Sequence, residues 1–87
     1  MRILQTPTFR KAVKRLQKGE KALLDKQVSK ILESPDRGDR KRGDLAGVYT
    51  IKLSIHGAQF RLAYRFDKYQ IELLAFGPRE NFYKRLK

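Results

Sequence analysis

Eighty-seven residues and 10.2 kDa leave room for one small hydrophobic core, and no apolar run comes near the ~20 residues of a membrane span. The chain is 40% hydrophobic and 34% charged, with a mean hydropathy of −0.65 and no cysteine, which excludes disulfides and thiolate-bound zinc and fits a reducing, cytoplasmic setting. Its 21 Lys+Arg against 9 Asp+Glu give a net charge of +12 and a pI near 10.4, which points to a polyanionic partner: nucleic acid, an acidic protein, or both.

The opening residues turn basic after one short apolar stretch, unlike a secretory signal. Within that stretch Arg2-Ile3-Leu4-Gln5 reads as a short strand. Thr6 and Pro7 then mark a helix start, threonine as the N-cap and proline at the first helical position. Phe9, Val13 and Leu16 recur at i, i+4 and i+7 with Ala12 beside them, so one face is buried; Arg10, Lys11, Lys14, Arg15 and Lys18 make the other face basic. Gly19 is expected to end this helix in the left-handed region. A second helix is predicted from about residue 20 to residue 33, with Leu24, Val28, Ile31 and Leu32 on one side. Ser34-Pro35 closes it, because a residue before proline is pushed out of the helical region. Residues 34–47 form a long connection that holds Arg37, Arg40, Lys41 and Arg42 among Asp36, Asp39, Asp44 and three glycines. A connection of that length is either functional or a solvated, mobile loop.

From Val48 the period changes to two. Tyr49, Ile51, Leu53 and Ile55 alternate with polar residues, then Phe60, Leu62, Tyr64 and Phe66 alternate with Arg61, Ala63 and Arg65. After a turn at residues 67–70, Ile71 to Phe76 completes an antiparallel meander. Gly77-Pro78 should stop the last strand, and residues 79–87 can form a final helix with Phe82 and Leu86 as its packing pair. Matching apolar residues across the first hairpin pairs Ile55 with Phe60, Leu53 with Leu62 and Ile51 with Tyr64, which makes Lys52 and Arg61 diagonal neighbours. The second hairpin places Arg65 opposite Glu72 and Arg61 opposite Phe76. The apolar face belongs under the helices, so the opposite face gathers Lys52, Arg61, Arg79 and Tyr83, the last two at i and i+4.

Such a face suits phosphate chemistry. Lysine and arginine can hold a phosphodiester and stabilise charge that accumulates on its oxygens. RNA supplies its own nucleophile, the 2′-hydroxyl, and needs no metal in principle. A tyrosine beside arginines can hold a more acidic phenol and can stack on a base. The nine acids are scattered and form no metal-ligand cluster, and His56, the one histidine, falls at a hairpin turn. Each side chain also has an ordinary use: Lys52 as strand-edge protection, Arg79 as a helix brace, Tyr83 as half-buried packing. Residue chemistry alone therefore stops at a basic α+β domain that binds nucleic acid or an acidic protein.

Three stretches add a resemblance: Val48-Tyr49-Thr50-Ile51-Lys52-Leu53, Phe60-Arg61-Leu62-Ala63-Tyr64, and Leu74-Ala75-Phe76-Gly77-Pro78-Arg79-Glu80-Asn81-Phe82-Tyr83. In order and spacing the chain resembles the RelE/ParE superfamily of type II toxin–antitoxin toxins, and its RelE-like mRNA interferase branch in particular. The resemblance implies a single toxin domain over residues 1–87, of RelE-like microbial RNase fold. That fold is α+β: an N-terminal strand and helical hairpin packed on an antiparallel β-meander, with a short C-terminal helix. It implies a ribosome-dependent, metal-independent endoribonuclease that cleaves mRNA in the A site and inhibits translation. The matching catalytic positions are Lys52, Arg61, Arg79 and Tyr83, with Lys41, Arg42, Lys52 and Arg61 binding RNA. The basic residues would hold phosphate, and Tyr83 would orient the substrate or move a proton. The implied partners are a cognate acidic antitoxin, the ribosome and mRNA, with no cofactor, metal or membrane; the free toxin would be a monomer and the antitoxin complex a hetero-oligomer. RelE itself carries a second lysine where Thr50 stands, and some relatives carry histidine at the place of Arg79. ParE-like members share the fold, lack the cleavage set and inhibit DNA gyrase; a basic nucleic-acid-binding adaptor is the third reading.

Overall fold

The computed structural model describes residues 2–80 and residue 82. Strand β1 (Arg2–Gln5) leads into helix α1 (Pro7–Lys14) and helix α2 (Lys18–Glu33). A two-residue strand β2 (Asp39–Arg40) follows between two 3₁₀ turns, and then the meander of β3 (Tyr49–Ile55), β4 (Ala58–Phe66) and β5 (Gln70–Pro78). The five strands form one sheet in the order β1-β5-β4-β3-β2, with β1 parallel to β5 and every other pair antiparallel.

Local chemistry explains the elements. The Thr6 side chain accepts from the Phe9 amide at 3.1 Å, and Pro7 occupies the first turn of α1. The break between the helices falls earlier than Gly19, which lies inside α2. Gln17 is the N-cap of α2, and its backbone amide donates to Glu20 Oε1 at 2.8 Å in a capping box, which starts the helix ahead of the glycine. The helix ends at Glu33, before Ser34-Pro35, as expected.

One sheet face lies under the helices. Phe9, Leu24 and Ile31 bury against Leu53, Ile55, Leu62, Tyr64, Ile71, Leu73 and Phe76, with Val13, Leu16, Val28, Tyr49 and Ile51 packed around them. The meander and this core agree with the alternation read from the sequence. Its registers differ in two places. The first hairpin turns in two residues, His56 and Gly57, both with positive φ (51° and 81°), the type I′ geometry that matches strand twist. Ile55 therefore faces Ala58, Leu53 faces Phe60, Ile51 faces Leu62 and Tyr49 faces Tyr64, a shift of two residues from the expected pairing that leaves each side chain on its face. In the second hairpin Arg65 does face Glu72, but a bulge between Tyr64↔Leu73 and Ala63↔Ala75 inserts Leu74 as an extra residue. Arg61 consequently faces Gly77 rather than Phe76, and Phe76 turns into the helix-facing core. The expected C-terminal helix over residues 79–87 lies largely outside the described residues. Of it, Phe82 is buried, and its amide bonds back to the Arg79 carbonyl.

Candidate functional site

The face away from the helices is built in rows across the strands. At its centre Thr50, Ala63 and Ala75 lie side by side, all buried and small. Phe82 packs on this floor with Val48, flanked by Leu45 and Leu74, so the chain after β5 folds back over the sheet. One row further along, Lys52, Arg61 and Gly77 are direct neighbours. Beyond them the Arg79 amide donates to the Gln59 carbonyl at 2.9 Å, extending the β4–β5 ladder past Pro78. The bulge at Leu74 makes this arrangement possible, because it returns Ala75 and Gly77 to the face that carries Arg61.

Lys52 and Arg61 are thus opposite, not diagonal, and the direct pairing is the more informative arrangement. Like charges facing each other across a strand pair destabilise a sheet. Arg61 is also 8% exposed, on the middle strand of the meander. Its Nη1 donates to the Phe60 carbonyl at 3.3 Å, and no carboxylate among the described residues lies within ion-pair distance of Lys52, Arg61 or Arg79. Gly77 opposite Arg61 contributes no side chain to cover the guanidinium. Two facing cations without a described counter-charge make this row electropositive. Lys52 and Arg79 are exposed and can reach a ligand, while Tyr83 lies outside the described residues. The Arg65–Glu72 pair, 2.6 Å between Nε and Oε1, sits at the far end of the same sheet and is an ordinary surface ion pair. His56 on its turn comes within 3.7 Å of Glu20, near the start of α2.

The long connection carries structure of its own rather than forming a free loop. After the Pro35–Arg37 turn, β2 pairs Asp39 with Thr50 and Arg40 with Tyr49, and the Lys41 amide donates to the Val48 carbonyl at 2.9 Å. Lys41 is half-buried, and Arg40 and Arg42 are exposed. The basic segment therefore lies along the outer edge of the sheet, beside β3, separated from the Lys52 row by the Phe82 seat. Two participants were missed in the sequence. Arg40 becomes part of the edge through a strand too short to show periodicity. Tyr64, read as core, also uses its hydroxyl: Oη donates to the Pro35 carbonyl at 2.6 Å and accepts from the Gly38 amide at 3.1 Å. Burial pushes its phenol above the ordinary value, and the Gly38 amide pulls more weakly the other way. Among the described residues no group of three or more His, Cys, Asp or Glu could hold a metal ion, and no helix is long and apolar enough to cross a membrane.

The described residues thus form a helical hairpin on one face of a five-stranded sheet, with a basic row on the other face. The family model for ParE-like toxins of type II bacterial toxin–antitoxin systems matches residues 3–87, and the chain belongs to that family, within the RelE/ParE superfamily. Solved structures share its fold. A chain of the intact Escherichia coli RelBE toxin–antitoxin complex is 20% identical, with 91% of this chain and 96% of that chain covered and a TM-score of 0.72. A mutant of the E. coli toxin RelE in the free state is 21% identical over 99% and 97% of the two chains, with a TM-score of 0.74. The Mycobacterium tuberculosis RelBE2 complex gives 24% identity over 90% and 96%, at 0.72. No curated protein sequence matches the chain significantly.

Proposed function

We propose that this toxin is a RelE-like endoribonuclease that cuts mRNA in the ribosomal A site and so arrests translation. The observation that carries the reading is the Lys52–Arg61 pair: two facing cations, one of them mostly buried, beside a glycine and one row from Arg79. In this reading the scissile phosphate occupies that row. The 2′-hydroxyl loses its proton and its oxygen attacks phosphorus as the bond to the 5′-oxygen breaks, leaving a 2′,3′-cyclic phosphate and a 5′-oxygen that takes up a proton. Charge grows on the non-bridging oxygens, and Arg61 and Arg79 stabilise it through their N–H donors. Lys52 holds the phosphate in position. Tyr83 follows the anchored Phe82 in the chain and orients the nucleotide or transfers a proton. Lys41 and Arg42 at the sheet edge bind the RNA backbone. The reaction requires positioned charge and proton transfer but no cofactor.

An acidic antitoxin is the natural inhibitor of a chain with net charge +12, and two of the similar structures are toxin–antitoxin complexes. A cytoplasmic setting follows from a ribosomal substrate. The family model is of ParE-like toxins, which favours one second reading, inhibition of DNA gyrase without catalysis. Programmed ribosomes and supercoiled plasmid with gyrase, each incubated with the protein, separate the two. On ribosomes, Arg61→Ala and Arg79→Ala should each slow cleavage by about 100-fold or more, the usual size of losing one transition-state donor, with an excess of chelator leaving the wild type active. If the doubly substituted protein still arrests growth at full strength, cleavage is the wrong mechanism and gyrase inhibition replaces it.

A further inference from the structure

The basic edge of the sheet rests on very little secondary structure. Strand β2 is two residues long, and an isolated pairing of that length has no independent stability. Just before it, one atom fixes the chain. The Tyr64 hydroxyl, on a residue with no exposed surface, donates to Pro35 and accepts from Gly38, closing a clamp across the turn that links α2 to β2. Gly38 fits the clamp only as glycine: a Cβ there would lie 2.7 Å from Tyr64 Oη and 3.0 Å from the Thr50 carbonyl oxygen. The aromatic ring is itself held, stacked on Tyr49 at 5.7 Å between centroids and on Phe66 at 6.4 Å, so the hydroxyl is presented rigidly. The next residues, Asp39 to Lys41, then run in register with Thr50, Tyr49 and Val48.

We propose that Tyr64 is a positioning residue for RNA binding: its hydroxyl clamps the Pro35–Gly38 turn and thereby holds Arg40, Lys41 and Arg42 as one ordered cationic edge. The proposal rests on the reading of that edge as an RNA contact. Without the clamp the same three cations are still present, but the segment before them is no longer pinned and they rest on the two-residue strand and the Lys41–Val48 backbone bond. An RNA that engages them must then order the segment itself, which weakens binding and lowers the number of phosphates neutralised together.

The test measures binding of a fluorescein-labelled oligouridylate over a salt series, for wild type, Tyr64→Phe, Gly38→Ala, and Arg40→Ala/Lys41→Ala/Arg42→Ala. Each phosphate neutralised on a single strand contributes about 0.7 to the log–log salt slope. Removing all three cations should therefore lower the slope by roughly 1.4 to 2.1 as two or three contacts are lost. Tyr64→Phe keeps the ring and should lower the slope in the same direction, and adding it to the triple substitution should produce no further loss. Gly38→Ala attacks the clamp from its other side and should reproduce the effect, which covers the case in which one variant fails to fold. A purely structural tyrosine would lower the melting temperature and leave the slope alone. If the triple substitution lowers the slope while Tyr64→Phe and Gly38→Ala leave it at the wild-type value, the clamp does not position the edge and the proposal is wrong. If the triple substitution itself changes nothing, the edge does not contact RNA, and the reading beneath the proposal falls with it.

Discussion

Thr6 joins the start of α1 to the bulge that shapes the site, and substituting it measures both. Its Oγ1 accepts from the Phe9 amide at 3.1 Å and donates to the Leu74 carbonyl at 2.6 Å. Leu74 is the extra residue at the bulge, where the ladder is interrupted and its carbonyl needs a partner from outside the sheet. Thr6→Val keeps the shape and removes both bonds. Loss of the N-cap costs about 1 kcal/mol, and a part-buried carbonyl left without a donor costs about 1 to 3 kcal/mol more. The sum, about 2 to 4 kcal/mol, is a large share of the roughly 5 to 15 kcal/mol that holds a small domain together. In a domain of this size it corresponds to a melting temperature lower by about 10 to 25 °C. Thr6→Ser retains the hydroxyl and should lose less than about 1 kcal/mol, since both bonds survive. Urea unfolding followed by circular dichroism compares the three proteins under one protocol. A Thr6→Val midpoint indistinguishable from that of Thr6→Ser would show that neither bond matters and that the bulge holds itself in place.

The fold was legible because its periodicities are clean. The i, i+4 face of α1 (Phe9 and Val13), the alternation of β3 and β4, and the Thr6-Pro7 and Ser34-Pro35 boundaries each follow from one local rule that the structure obeys, whereas Leu16, read as the i+7 position, lies past the end of α1 at Lys14. The misreadings share a physical cause. Apolar alternation fixes which face a residue occupies but not its partner, since a two-residue slip leaves every face unchanged. The tight His56-Gly57 turn chose the register, and a positive φ at histidine is a poor guide from sequence because the residue seldom adopts it. The bulge was hidden for a related reason. Ile71, Leu73, Leu74, Ala75 and Phe76 form a nearly continuous apolar run, in which no alternation marks the inserted residue. The candidate site was legible as a set of residues, Lys52 and Arg61 on one face with Arg79 following, but not as a direct pair. The Tyr64 clamp could not be read at all, because it joins residues 26 and 29 positions apart through a hydroxyl that the core pattern treats as apolar.

Two further outcomes test the packing and the titration. Phe82→Ala empties the seat formed by Val48, Ala63 and Ala75 and should cost about 3 to 5 kcal/mol in urea unfolding, with Phe82→Leu recovering much of it; a loss below about 1 kcal/mol would mean that the seat is not part of the core. The alkaline limb of stability should report Tyr64. Its phenol is raised in the folded protein by burial, whereas in the unfolded chain it titrates near pH 10. Below that pH both states keep the proton, so the phenol adds no pH dependence. Above it the unfolded chain releases the proton first and binds fewer protons than the native state, so stability falls as pH rises towards the folded pKa, by at most about 1.4 kcal/mol per pH unit for one group. At pH 8 Tyr64→Phe should be less stable than wild type by about 1 to 3 kcal/mol, because the Pro35 carbonyl and Gly38 amide lose their partner. Between pH 9 and 11 that gap should narrow, since only the wild type carries this phenol and the other titrating groups are common to both proteins. Paired urea midpoints across the range supply the measurement. Two curves that stay parallel would show that the Tyr64 phenol titrates alike in the folded and unfolded chains, against the burial that raises it.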